Sequence, residues 1–176
     1  VSANTWINSA SYDEMVRVFF EYGEERYARR IAKAIDEYRQ HTPITRTLEL
    51  AAIVKEANPK WETHKHPATR VFQAIRIEVN QELNDLKNAL NALEHILAPL
   101  GRACIISFHS LEDRIVKNFF KKVSTPMAIP KEIPITNELE QMSFRRIGKA
   151  IKASKTEQQH NIRARSAILR IGEKLS

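Results

Sequence analysis

The chain has 176 residues, 43% of them apolar and 28% charged, with a formal net charge of +7 and a single cysteine. That is enough chain for one domain, or for two small ones, with a real core. It excludes global disorder and an intrachain disulfide; and because no apolar run exceeds five residues (Leu50 to Val54), it excludes a membrane-spanning helix. The first residue is Val1, with no basic-then-apolar leader after it, so the start is expected to lie inside a longer protein. With Cys104 alone and no histidines at helical metal-pair spacing, a metal site is not expected, and the cytoplasm is the natural compartment.

Tyr12 to Glu21 reads as a short helix ended near Gly23. Glu24 to Arg39 reads as a second, with Tyr27, Ala28, Ile31, Ala34, Ile35 and Tyr38 on one face and Glu24 and Glu25 in its first turn. Thr45 or Thr47 is expected to cap a third helix, which runs to about Ala57 and is stopped by Asn58-Pro59. After Pro67 comes the longest periodic segment. Phe72, Ile75, Val79, Leu83, Leu86, Leu90, Leu93 and Leu97 follow spacings of 3, 4, 4, 3, 4, 3 and 4. Such a seam suits a coiled coil, or one bent helix that leaves a helical subdomain and enters a main domain; the sequence that follows favours the second.

Arg102 to Phe108 is a near-continuous apolar run after Gly101 and reads as a buried strand, most naturally in a parallel sheet. Ser110 then caps a helix with Glu112 and Asp113 in its first turn. Helix, strand, helix is the grammar of an α/β sheet. Between Ser124 and Met142 three prolines suggest a long surface loop. Phe144 to Ile151 and Arg165 to Ile171 are the last strand candidates, with one helical turn between them near 155–161.

Three groups of residues are candidates for function. Ser107, His109, Ser110 and Asp113 lie where a strand ends and a helix begins, the place where open α/β sheets bind ligands and where helix N–H groups attract anions. The plain alternative is a helix cap, and three such residues within one turn cannot form a nucleophilic relay. His66, Arg70, Gln73, Arg76 and Asn80 fall within about 120° on a helical wheel; they suit phosphates and base edges, or simply a solvated face. Arg145, Arg146, Lys149, Lys152, Arg163 and Arg165 belong to a C-terminal segment, 141–176, with nine basic residues against two acids. It suits an RNA backbone, or solubility alone. The four glycines are scattered, so no Gly-rich phosphate loop is present.

The strings YGEERYARRIAKAI (22–35), TRTLELAAIV (45–54), HPATRVFQAIRIEVNQEL (66–83), SFHSLEDRIVKNFF (107–120) and NIRARSAILR (161–170) closely resemble the RsmH family, also called MraW. These are S-adenosylmethionine-dependent enzymes that methylate the N4 amine of a cytosine in 16S ribosomal RNA of the small ribosomal subunit. The resemblance implies an α/β fold: part of a Rossmann-like methyltransferase sheet, contributing its last three strands with the final two antiparallel, plus an inserted all-helical domain. Residues 1–80 would be that inserted, RNA-recognising domain, and residues 81–176 the C-terminal part of the methyltransferase domain. The implied catalytic residues are Ser107, His109, Ser110 and Asp113. The implied RNA contacts are Arg46, His66, Arg70, Gln73, Arg76, Asn80, Arg145, Arg146, Arg163 and Arg165. The family's donor-binding loop belongs N-terminal to all of this, so a chain inactive alone is expected. Leu100 departs from the family, where a glycine is common, and so does Ile162, where a proline is usual. A stand-alone RNA-binding module and a helical interaction protein are the other readings, and an exposed sheet edge predicts a homodimer.

Overall fold

A computed structural model describes residues 1–60, 66–125 and 142–175, so most of the expected 124–142 loop lies outside the described residues. The chain is mixed α and β and divides into two compact units, Val1–Glu82 and Leu83–Ser176.

The first unit is helical: α1 (Ala3–Ser9), α2 (Tyr12–Glu21), α3 (Ala28–Arg39), α4 (Thr47–Ala57) and α5 (Thr69–Asn80). Ser2 and Ser11 cap α1 and α2 through side-chain oxygens that accept Thr5 N–H and Glu14 N–H. α1 has no counterpart among the expected elements, being too short to show a period; it is held by burying Trp6 and Ile7. Gly23 is required by contact, since a Cβ there would lie 2.7 Å from Phe19 O and 2.8 Å from Arg70 O. The second helix starts at Ala28, later than expected. Glu24 is left-handed (φ 49°), and buried Glu25 accepts Tyr27 N–H at 2.9 Å, so these acids precede the helix instead of forming its first turn. α4 ends as expected at Asn58, but neither threonine caps it. Glu49 Oε2 instead accepts Thr45 N–H and Arg46 N–H, both at 3.0 Å. Met15, Val18, Phe19, Ile31, Ile35, Val54, Val71 and Ala74 fill the core.

The long apolar seam is two helices. α5 ends at Gln81, which is left-handed (φ 55°), and α6 runs Glu82–Ile96. Phe72, Ile75 and Val79 pack in the helical core, whereas Leu86, Leu90, Leu93 and Leu97 pack in the second one.

The second unit adds β1 (Arg102–Ser107), α7 (Ser110–Val123), β2 (Phe144–Arg146), β3 (Ile151–Lys152), α8 (Lys155–His160), a 3₁₀ turn (Ile162–Ser166) and β4 (Ile168–Lys174). β4 is central, pairing antiparallel with β1 on one side and with β2 and β3 on the other. The antiparallel pairing of the last strands is therefore present. The parallel setting expected for Arg102–Phe108 is not, because the one described partner of β1 is antiparallel β4. Arg165 lies in the 3₁₀ turn, which moves the start of the last strand to Ile168.

Residues opposite in register share a face. Ala103, Ser107, Phe144 and Gly172 are buried, and Phe120 of α7 lies so close to Gly172 that a Cβ there would sit 2.1 Å from its ring. The other face carries Cys104, Ile106, Leu169, Ile171 and Ile151, with Ile106 56% and Ile151 53% exposed. β1 thus alternates between buried and open positions instead of being buried throughout, because the described residues of this unit pack on one face of the sheet. Lys174 Nζ donates to the carbonyls of Glu94 and Leu97 at 2.8 and 2.9 Å, satisfying the C-terminal end of α6. Leu100 is left-handed (φ 62°), its N–H bonded to Lys174 O, which explains why a glycine suits that position.

Candidate functional site

The corner between β1 and α7 is built by its own side chains. His109 is extended and serves as the N-cap, the position expected of Ser110. Its Nδ1 accepts Glu112 N–H at 3.4 Å, while Glu112 Oε2 accepts Phe108 N–H at 2.8 Å and His109 N–H at 3.4 Å. This reciprocal arrangement is a capping box, with histidine in the place of serine. His109 Nε2 lies 3.3 Å from Glu112 Oε1. The His109 side chain, followed by burial in the opposite sense and the Phe108 N–H, accounts for the Glu112 carboxyl being held below the usual carboxylate range.

Asp113 does not cap either. Arg170 of β4 donates Nε to Oδ1 at 2.8 Å and Nη2 to Oδ2 at 2.9 Å, a two-pronged ion pair with side chains only 16% and 22% exposed. Arg170 is the main cause of the lowered Asp113 pKa, with Lys117 and Lys152 adding to it. Asp113 therefore ties α7 to the central strand. Ser107 is buried in β1, whereas Ser110 and Phe108 are exposed. The corner places the four expected residues along the end of β1 and the first turn of α7, with His109 capping the helix and Asp113 tying it to Arg170. Its N–H groups already meet a carboxylate, which weakens the expectation of an anion seat there.

Sequence reasoning missed Arg170 and Glu112 as the partners of this corner. The spacing of His109 and Glu112 could have revealed the capping box; Asp113 and Arg170 are 57 residues apart and leave no local signal. It also missed Glu173, buried in the sheet and held by Arg102 at 2.8 Å and by Arg145. Both arginines lower its pKa, Arg102 first.

The polar stripe lies on the first unit, but it is not simply solvated. His66 Nδ1 accepts Ala68 N–H just before α5. Arg70 and Gln73 donate to the carbonyls of Glu24 and Tyr22 at 3.3 and 3.4 Å. Arg76 makes a two-pronged pair with Glu82, at 2.8 and 3.0 Å, and Asn80 donates to the same carboxylate. Arg46, at the start of α4, rims a mostly apolar cavity of about 130 Å³ lined by Ile7, Ile44, Leu50, Phe72 and Ile75. In the second unit Arg145 and Arg146 stand on β2, and Arg163 and Arg165 are exposed on the 3₁₀ turn. No helix among the described residues is long and apolar enough to cross a membrane.

Comparison with known proteins gives one consistent match. Residues 1–175 match the MraW methylase family. The chain is 57% identical over all 176 residues to the ribosomal RNA small subunit methyltransferase H of Legionella pneumophila (strain Corby), covering 57% of that protein. It is 52% identical over 175 residues to the protein of the same name from a Marinomonas species, covering 99% of this chain and 56% of that protein. The Thioalkalivibrio sulfidiphilus protein of that name is 48% identical over 176 residues, again covering 99% of this chain and 56% of its own length. The chain thus spans a little over half the length of the curated relatives it matches.

Proposed function

The chain belongs to the MraW methylase family, and on that premise we propose that it is the carboxyl-terminal part of a ribosomal RNA methyltransferase. In this reading a methyl group moves from S-adenosylmethionine to the N4 amine of a cytosine in 16S ribosomal RNA, on the small ribosomal subunit, in the cytoplasm. The observation that supports the reading is the 57% identity over all 176 residues to a protein named as a ribosomal RNA small subunit methyltransferase. The uncovered apolar sheet face supports the partial nature of the chain, since sheets of α/β enzymes are covered on both sides. For the isolated chain the reading includes no turnover and a homodimer through the exposed edge of β1.

The acids of the corner and of β4 do not fit the methyl donor. Glu112 is committed to the corner backbone, Asp113 to Arg170, and Glu173 to two arginines. These carboxylates are not left over for ribose hydroxyls, and no step through the donor is assigned to this chain. Its work is on the acceptor side. A cytosine amine is a poor nucleophile because its lone pair is shared with the ring. It must be held within about 3–3.5 Å of the carbon it attacks, and the base must leave its stack. The rigid Ser107–Asp113 corner suits one wall of that pocket, with Ser110 exposed toward the target and His109 and Asp113 holding the wall in place. Arg46, the α5 stripe, Arg145, Arg146, Arg163 and Arg165 supply contacts to the RNA. The helical unit serves recognition, and the second unit completes the methyltransferase sheet.

The test is transfer of labelled methyl from S-adenosylmethionine to unmethylated small ribosomal subunits by the full-length protein. Incorporation into RNA is expected; its absence overturns the reading. His109→Ala and Asp113→Ala are each expected to lower turnover, and wild-type turnover in both removes the corner from the mechanism.

A further inference from the structure

On the side of the sheet covered by α7, a notch of about 80 Å³ opens between Lys117 and Phe120 of α7, the 146–150 turn, and Arg170 and Ile171 of β4. We propose that this notch seats one phosphodiester group of the RNA strand, an inference that rests on the ribosomal RNA reading above and adds an anchoring site to it.

Among the described residues the notch is lined by four cations, Lys117, Arg146, Lys149 and Arg170, and by no acid. Arg170 is neutralised by Asp113 behind it. The other three have no hydrogen-bond or ion-pair partner among the described residues, and all three are exposed. Lys152 joins the same side: its register partner is Ile168, on the face that also carries Arg146 and Arg170. Like charges gathered at one concave site repel one another, and a bound anion relieves that repulsion. Phe120 of α7 supplies an apolar part of the notch's inner wall.

The shape fits a phosphate. On this measure of volume one water needs about 10–15 Å³, so a notch of about 80 Å³ has room for a tetrahedral oxyanion. Gly148 is left-handed (φ 68°) in the turn between β2 and β3, whose Arg146 and Lys149 line the notch together with Lys117. Two lysines and an arginine without a bidentate geometry read charge and not sequence, so the site positions the strand and leaves base choice to other residues.

The experiment measures RNA binding by the full-length protein as a function of salt, comparing Lys117→Gln/Lys149→Gln with wild type and with Lys87→Gln. Lys87 is an exposed residue of α6 outside the notch. Each lost phosphate contact reduces the magnitude of the slope of log K against log salt by about 0.7 on a single strand and costs about fivefold in affinity near 0.1 M salt. The double variant should show that loss while retaining the wild-type unfolding midpoint, and inorganic phosphate should compete with RNA less effectively in it. A slope and affinity equal to those of Lys87→Gln overturn the site. Methyl transfer by the wild-type protein, assayed in parallel, separates the two claims: normal transfer with an unaltered slope sinks the notch alone, and no transfer by wild type sinks the function on which it rests.

Discussion

Removing Asp113 separates an anchoring role from a chemical one. Asp113→Ala leaves Arg170, with a side chain only 22% exposed, facing an emptied site on the inner side of the sheet. Breaking a fully buried pair costs about 3–5 kcal/mol, and a surface pair is worth about 0–1 kcal/mol. With side chains 16% and 22% exposed and two short charge-assisted bonds, the loss should fall between these limits, at about 2–3 kcal/mol. Arg170→Ala should cost a similar amount. The double variant should cost little more than either single one, giving a coupling of about 2 kcal/mol in a double-mutant cycle. Urea unfolding followed by circular dichroism and by tryptophan-independent probes of the sheet reads these values, and thermal midpoints should drop by about 2–4 °C per kcal/mol. Single variants with unchanged stability and lost turnover would refute the reasoning, because Asp113 would then act on substrate and not on Arg170.

Other consequences are as direct. Leu100→Gly should raise stability by up to about 1 kcal/mol, since the left-handed conformation costs a leucine about 1–2 kcal/mol and glycine's added chain entropy returns about 0.5–1; a midpoint lowered in denaturant melts would contradict this. Gly172→Ala should destabilise the second unit by about 1–3 kcal/mol through the clash with Phe120, and Phe120→Leu in the same chain should recover part of the loss. Glu112, Asp113 and Glu173 all have carboxyl pKa values lowered by folding, through His109, Arg170 and Arg102 respectively. Their unfolded values lie near about 4, so the stabilisation is complete above about pH 5 and is lost as pH falls through the lower folded values. Denaturant midpoints should fall on acidification, and less steeply in Glu112→Gln/Asp113→Asn; equal slopes would remove these groups from acid stability.

What the sequence made legible was what local rules control. The α2 helix, the stop at Asn58, the β1–α7 order and a last strand ending beyond Ile168 follow from period and punctuation. The failures have physical causes. The seam of Phe72 to Leu97 keeps its period across Gln81, so apolar spacing hides a backbone break that only φ reveals. The helix cap was assigned by preference to Ser110, whereas a histidine acceptor with Glu112 beside it satisfies the same N–H groups. The apolar run of β1 suggests cover on both faces, but cover is a property of packing, and Ile106 on the outer face is 56% exposed. The corner's key bond, to Arg170, comes from distant sequence and leaves no local signal. The chemistry of methyl transfer was legible through resemblance and not through residue spacing.

The most direct test of the account is the identity of the product. Small ribosomal subunits lacking the modification would be incubated with the full-length protein and isotopically labelled S-adenosylmethionine, and the RNA digested to nucleosides and weighed by mass spectrometry. The account predicts the label in N4-methylcytidine from 16S ribosomal RNA, and in that nucleoside alone. Label in another base, in ribose or in ribosomal protein would contradict it.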